Sequence, residues 1–159
     1  MSELSGRLRP VGRVAIIVSR YNEVVTGRLL EGALTCCAEA GLPRDAVDVV
    51  WVPGAYELPV AAAAAAATSN YACLVALGAV IRGETPHFEY VAAEATRGLG
   101  EVAVTHRLPV GFGLLTTDSL EQATARAGGS AGNKGHEAAA AALQAADVIA
   151  QLRARHAQG

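Results

Sequence analysis

The residues of this chain that could do chemistry gather in a few short stretches, and the densest is "GAVIRGETPHFEY", Gly78 to Tyr90. An apolar run ends there in Arg82, Gly83, Glu84 and Thr85, followed by Pro86 and His87. Thr85 has the side chain of a helix N-cap, and Pro86 suits a first helical position, where the missing N–H costs nothing. The open N–H groups of such a helix start form an anion site, and phosphate is the anion expected. In that first turn the helix dipole favours a neutral imidazole, which can both take and give a proton. Proton shuttling of this kind serves carbonyl condensations and eliminations. The competing reading of His87 is a surface histidine making an ordinary hydrogen bond. His106, His136 and His156 stand in helical or terminal contexts without a partner motif and read as surface residues.

Three further stretches carry polar residues beside apolar runs. Tyr21 and Asn22 follow the first run, and "PGAYELP" follows the second, with Ala55, Tyr56 and Glu57 at its centre. Gly54 and Ala55 would let the backbone come close to a flat ligand, with Glu57 near a helix start; the plainer alternative is a turn with proline at both ends. Thr116, Thr117 and Asp118 follow the last run. Arg126 and Lys134 bracket "AGGSAGN", a Gly-rich connection that lacks P-loop spacing. On charge alone each is a solvated cation or an anion ligand.

The elements that must position these residues are legible from periodicity. "VGRVAIIVS", "VDVVWV", "ACLVALGAVI" and "PVGFGLLTT" are apolar runs that read as strands. Between them, Val25, Leu29, Ala33 and Cys37 fall on one helical stripe that Gly41 terminates. The alanine run Ala61 to Ala67 reads as a helix packed close to a sheet, and a long helix is expected from about Phe88 to Arg107. Asp118 is the expected N-cap of a helix with Glu121 three residues on, and a closing helix runs from about Asn133 to Arg155. Strands alternating with helices at crossover length imply an α/β fold. The expected form is a single-domain, flavodoxin-like three-layer sandwich, its parallel four-stranded sheet in the order 2-1-3-4. In such sheets ligands bind beyond the carboxyl ends of the strands, so the polar stretches should converge on one edge.

Length and composition bound the functional classes. The 159 residues fit one domain, 12–159, preceded by an N-terminal arm, 1–11, that a lone monomer would leave loose. Hydrophobic residues make up 52% and aromatics 4%, so the core is built from Ala, Val, Leu and Ile. A net charge of −2 gives no broad basic surface, which argues against nucleic acid as partner. The apolar runs are too short for a bilayer and nothing resembles a signal peptide, so no membrane partner and a cytoplasmic location are expected. Cys36, Cys37 and Cys73 lack metal-type spacing and read as small buried residues.

"VPGAYELP", "GAVIRGETPHFEYV", "GLLTTDSLEQATARAG" and "AGNKGHEAA", in this order and spacing, resemble the lumazine synthases of riboflavin biosynthesis over about Val11 to Ala150. The resemblance implies a transferase that condenses 5-amino-6-(D-ribitylamino)uracil with 3,4-dihydroxy-2-butanone 4-phosphate, with no cofactor and no metal. The product is 6,7-dimethyl-8-ribityllumazine, with release of phosphate and water. It further implies that Tyr21 stacks on the pyrimidine beside Asn22, and that Ala55, Tyr56 and Glu57 hold the ring and ribityl chain. Ala79, Val80 and Ile81 would supply backbone contacts, Glu84 and Thr85 would bind the phosphorylated substrate, and His87 would transfer protons. Phe112 and Arg126, with Lys134 nearby, would come from the adjacent subunit, Phe112 against the pyrimidine and Arg126 on the phosphate. The family's stacking residue is usually Trp or Phe, so Tyr21 brings a hydroxyl that needs a polar partner or water.

The same resemblance implies self-association into pentamers. The short "RAGGSAGNKG" is similar to the turn of the branch that builds 60-subunit icosahedral capsids, in which the arm adds a strand to a neighbouring sheet. Riboflavin synthase is a further implied partner. Three other readings compete: a shell protein that has lost catalysis, an archaeal-type riboflavin synthase, and a flavodoxin-like nucleotide module. The first would not need His87, Arg126 and "GET", the second would use no phosphorylated substrate, and the third would need a Ser/Thr-rich loop after Val18.

Overall fold

Strands form where β-branched apolar runs are bounded by turn residues. In a computed structural model, which describes residues 1–158, these are β1 (Val14–Ser19), β2 (Val47–Val52), β3 (Cys73–Ile81) and β4 (Val110–Thr117). They pair in parallel in the order β2-β1-β3-β4, as the crossover lengths require. The helices are α1 (Glu23–Glu39), α2 (Leu58–Ala67), α3 (His87–His106), α4 (Leu120–Ala125) and α5 (Lys134–Gln158).

Alternation along the central strand β1 builds two cores. Val14, Ile16 and Val18 face Leu29, Ala33 and Leu143 in the layer of α1 and α5, whereas Ala15 and Ile17 face Leu58, Ala62 and Leu99 in the layer of α2 and α3. The right-handed crossover rule accounts for the split. The chain moves one way across the sheet from β1 to β2 and the other way from β2 through β3 to β4, so its connecting helices must change face. The reversal leaves a crevice between β1 and β3 at the carboxyl edge. Small residues let the layers close tightly: a Cβ on Gly135 would collide with the backbone of Leu29, where α5 crosses α1. All three cysteines are buried and unpaired in the first core.

Several local expectations shift. The cap of α4 is Ser119, whose Oγ accepts from the Gln122 N–H at 3.2 Å, while Gln122 Oε1 accepts from the Asp118 N–H at 2.8 Å. Asp118 is therefore not the N-cap; Ser119 takes that place one residue later, and the Gln122 side chain reaches back past it to the Asp118 N–H. For α3 the cap position is Pro86 (φ −70°, ψ 2°), and no side chain caps it, so Thr85 is not the N-cap. The Pro86 carbonyl accepts from the Glu89 N–H at 3.0 Å, and the ring supplies the φ that the first turn needs.

The Gly-rich connection is more ordered than a loop. It folds as a two-stranded antiparallel ribbon, β5 (Ala127–Gly129) and β6 (Gly132–Asn133). Residues 1–11 are not loose either. Asp147 of α5 is 1% exposed and accepts from the Arg7 N–H at 2.8 Å, Arg9 Nε at 2.6 Å and Gln151 Nε2 at 3.1 Å. A buried carboxylate needs such donors, and the arm provides two of the three.

Candidate active site

The end of β3 shows how register opens a binding edge. β1 pairs with β3 only as far as Val18 opposite Leu77, whereas β4 pairs on to Thr117 opposite Ile81. The Arg82 N–H donates to the Thr117 carbonyl at 2.9 Å, so alternation turns the N–H and C=O groups of Ala79 and Ile81 toward the side that β1 has vacated. One of these is already used: Asn22 Nδ2 donates to the Ala79 carbonyl at 3.0 Å. Asn22 sits in the left-handed region (φ 61°, ψ 47°) as the first residue before α1, a conformation Asn tolerates better than most.

The segment after β2 closes the opposite wall. Glu57 Oε1 accepts from the Gly54 N–H at 3.0 Å, which folds Ala55–Glu57 into a single 3₁₀ turn ahead of α2. Gly54 allows close approach, since a Cβ there would stand 3.0 Å from Cδ2 of Tyr21 and press the ring outward. The Tyr21 ring thus rests against the Gly54 backbone with the rest of it free, at 72% exposure. Packing on bare backbone holds the ring while leaving its other side to a ligand.

These walls and the start of α3 enclose a cleft of about 680 Å³. Tyr21, Asn22, Ala55, Tyr56, Glu57, Ala79, Val80, Ile81 and His87 all line it, so three of the four post-strand segments converge on it, while Thr116, Thr117 and Asp118 do not reach it. Gly54 lines it as well, at the close backbone approach expected of it, and so do Tyr90 and Val91, which escaped the sequence reading. Their signal was available: Tyr90 and Val91 stand three and four residues after His87, on the same helix face. A cleft of this size suits a ligand of small-molecule dimensions, with an aromatic ring, backbone polar groups, a carboxylate and an imidazole at hand.

Five expected site residues lie apart from that cleft. Glu84 and Thr85 are exposed in the connection between β3 and α3. Phe112, 43% exposed, lies on the edge strand β4 opposite Ala76, well before the carboxyl edge. Arg126 ends α4 and donates through Nη1 to the Gln122 carbonyl at 3.0 Å. The ribbon brings Lys134 back to it, with the Lys134 N–H on the Arg126 carbonyl at 2.8 Å.

Arg82 organises the turn beside the cleft. Its Nε donates to Asp118 Oδ1 at 2.8 Å, Nη1 lies 3.6 Å from Glu89 Oε1, and the guanidinium stands 4.6 Å from the centroid of the Phe88 ring. Asp118, first, and then Glu89 hold the guanidinium above its ordinary pKa.

A doubly wound parallel sandwich whose switch-point crevice holds an aromatic face, open backbone groups and a helix-start imidazole has the architecture of a flavodoxin-like protein with a small-molecule cleft at its carboxyl edge. A sequence model of 6,7-dimethyl-8-ribityllumazine synthase matches residues 12–150. The enzyme of that name from Gemmatimonas aurantiaca is 53% identical over 150 residues, which cover 94% of this chain and 92% of that protein. The chain belongs to the 6,7-dimethyl-8-ribityllumazine synthase family. It is a transferase of riboflavin biosynthesis that joins 5-amino-6-(D-ribitylamino)uracil to 3,4-dihydroxy-2-butanone 4-phosphate, giving 6,7-dimethyl-8-ribityllumazine, phosphate and water.

Proposed function

We propose that the cleft is one half of the catalytic site and that His87 moves the protons of the condensation. The observation that carries this is the position of His87 at the first residue of α3, lining the cleft that Tyr21, Asn22 and Ala79–Ile81 also line. The pyrimidine stacks on Tyr21, and its polar edge meets the open backbone groups of Ala79 and Ile81. Ala55, Tyr56 and Glu57 hold the ring and ribityl chain. Glu84 and Thr85, beside the uncapped first turn of α3, receive the phosphate, where free N–H groups and the dipole favour an anion.

The chemistry then needs little beyond positioning and proton transfer. The 5-amino group adds to the ketone carbonyl and water leaves as the imine forms. Removal of the proton on the hydroxyl-bearing carbon expels phosphate and leaves an enol; protonation of its terminal carbon makes a methyl group and a second carbonyl, and attack of the ribitylamino nitrogen there closes the ring with loss of water. Each step moves a proton to or from nitrogen, carbon or oxygen, which a neutral imidazole can do in both directions.

The other half of the site comes from a neighbouring subunit, which contributes Phe112 against the pyrimidine, Arg126 on the phosphate and Lys134 nearby. Supporting this, these residues are solvent-facing and lie outside the cleft of their own chain, and Val60, Val104 and Leu120 add exposed apolar surface suited to association. The assembly is a pentamer and, given the short ribbon turn, a 60-subunit icosahedral capsid. In it the Asp147 clasp fixes the root of the arm, and the residues before Arg7 add to a neighbour's sheet. The enzyme works in the cytoplasm, with riboflavin synthase as a partner that consumes its product.

The test of the catalytic assignment is purified protein assayed with both substrates, following lumazine absorbance and phosphate release. His87→Ala should lower kcat about a hundredfold with the assembly unchanged by sedimentation. Full turnover in that variant would remove His87 from the chemistry.

A further inference from the structure

The Arg82 cluster is costly in order and offers little stability. Its members are well exposed, with side-chain exposures of 47% for Arg82, 70% for Asp118 and 66% for Glu89, and ion pairs so placed contribute weakly to folding. Yet one guanidinium is fixed from three directions: Nε on Asp118, Nη1 toward Glu89, and its face over Phe88. Phe88 and Glu89 are the two residues that follow His87 on the first turn of α3, and Arg82 precedes the Glu84–Thr85 connection. The far end of the cluster is also fixed, because the Asp118 N–H donates to Gln122 Oε1 and Thr117 Oγ1 donates to the Ser119 carbonyl, which ties the turn to the capped start of α4.

We infer that Arg82 is a positioning residue for the reaction: through Phe88, Glu89 and Asp118 it sets where the first turn of α3 holds the His87 ring relative to the cleft. The inference rests on the assignment of His87 as the proton-transfer group. With both carboxylates beside it and an aromatic ring on its face, the guanidinium is committed within the protein and does not serve as the substrate's phosphate ligand. The fork and plane of Arg are both used, so Lys, a point charge on a flexible stem, cannot replace them.

The test compares Arg82→Gln, Arg82→Lys, Asp118→Asn and the double variant Arg82→Gln/Asp118→Asn, each as the assembled enzyme, with His87→Ala alongside. Arg82→Gln and Asp118→Asn should each lower kcat roughly tenfold, with the KM for either substrate within about twofold of the unsubstituted enzyme. The double variant should be no worse than the poorer single one, because both changes break one coupled unit. Arg82→Lys should recover less than half of the loss, and thermal unfolding should barely move in any of the four. A rise in the butanone phosphate KM with little change in kcat would show direct phosphate binding and overturn the inference, as would an unaffected Asp118→Asn. If His87→Ala is impaired but Arg82→Gln is not, only this inference fails; if His87→Ala is fully active, the assignment beneath it fails.

Discussion

Tyr21 stands where the resemblance implies Trp or Phe, and its setting suits any flat ring. The ring lies against the Gly54 backbone, a support that any flat aromatic side chain could use. Tyr21→Ala should weaken binding of the uracil substrate by about 1–2 kcal/mol, close to tenfold, and Tyr21→Trp should bind at least as tightly as the native residue; isothermal titration measures both. Equal affinity in the alanine variant would take the ring out of the site. At this scale much of the cleft could be read in advance, because residues just after parallel strands must lie at one edge. The omissions have a physical pattern. Tyr90 and Val91 contribute only through their place on the helix face they share with His87, which a search for polar residues after the strands passes over.

Element boundaries depend on which of several adjacent polar residues wins the cap, and local sequence does not decide this. Asp118 and Ser119 both qualify, yet Gln122 favours Ser119 by closing the pair of bonds around it. Asn133 is the clearest case of a cap that also joins elements. Its Oδ1 accepts from the N–H groups of Gly135 and His136 at 2.9 and 3.2 Å, and its Nδ2 donates to the Arg28 carbonyl of α1 at 3.0 Å. Asn133→Ala should cost about 2 kcal/mol of stability, seen as a lower urea midpoint without a change in slope. The ribbon β5–β6 was illegible for the opposite reason: its glycines have no β propensity, and the backbone bonds across "AGGSAGN" hold it.

The arm lies on the same scale. Its partner Asp147 is 138 residues from Arg9, a separation no periodicity reveals. The Arg7 N–H first, and then Arg9 and Gln151, hold the Asp147 carboxyl below the ordinary aspartate range, against the opposing effect of desolvation. Because the folded value lies below the unfolded one, the stabilisation is full at neutral pH and is lost as pH falls through the lowered value. A fluorophore on the N-terminal amine should therefore report arm release only in acid below that range. Asp147→Asn should release the arm at neutral pH, exposing the Arg7–Leu8 bond to trypsin; an arm still protected in that variant would show that the clasp does not hold it.

For the whole molecule, parallel pairing and helices on both faces followed from connection lengths and the handedness of crossovers, whereas the division of β1 between two cores is hidden in a strand that is apolar throughout. What a single chain cannot display is a site divided between two copies. The cleft holds His87 at the carboxyl edge, while Phe112, Arg126 and Lys134 lie outside it, on the edge strand and around the ribbon. If the two halves meet only across an interface, damage to one half in one subunit can be made good by its neighbour. The most direct measurement is the activity of particles co-assembled from equal amounts of His87→Ala and Arg126→Ala chains, each poorly active alone. An interfacial site predicts recovery to about a quarter of native turnover, since half the subunits carry His87 and half of their neighbours carry Arg126. Activity no greater than the average of the two parents would contradict it and place the complete site within one chain.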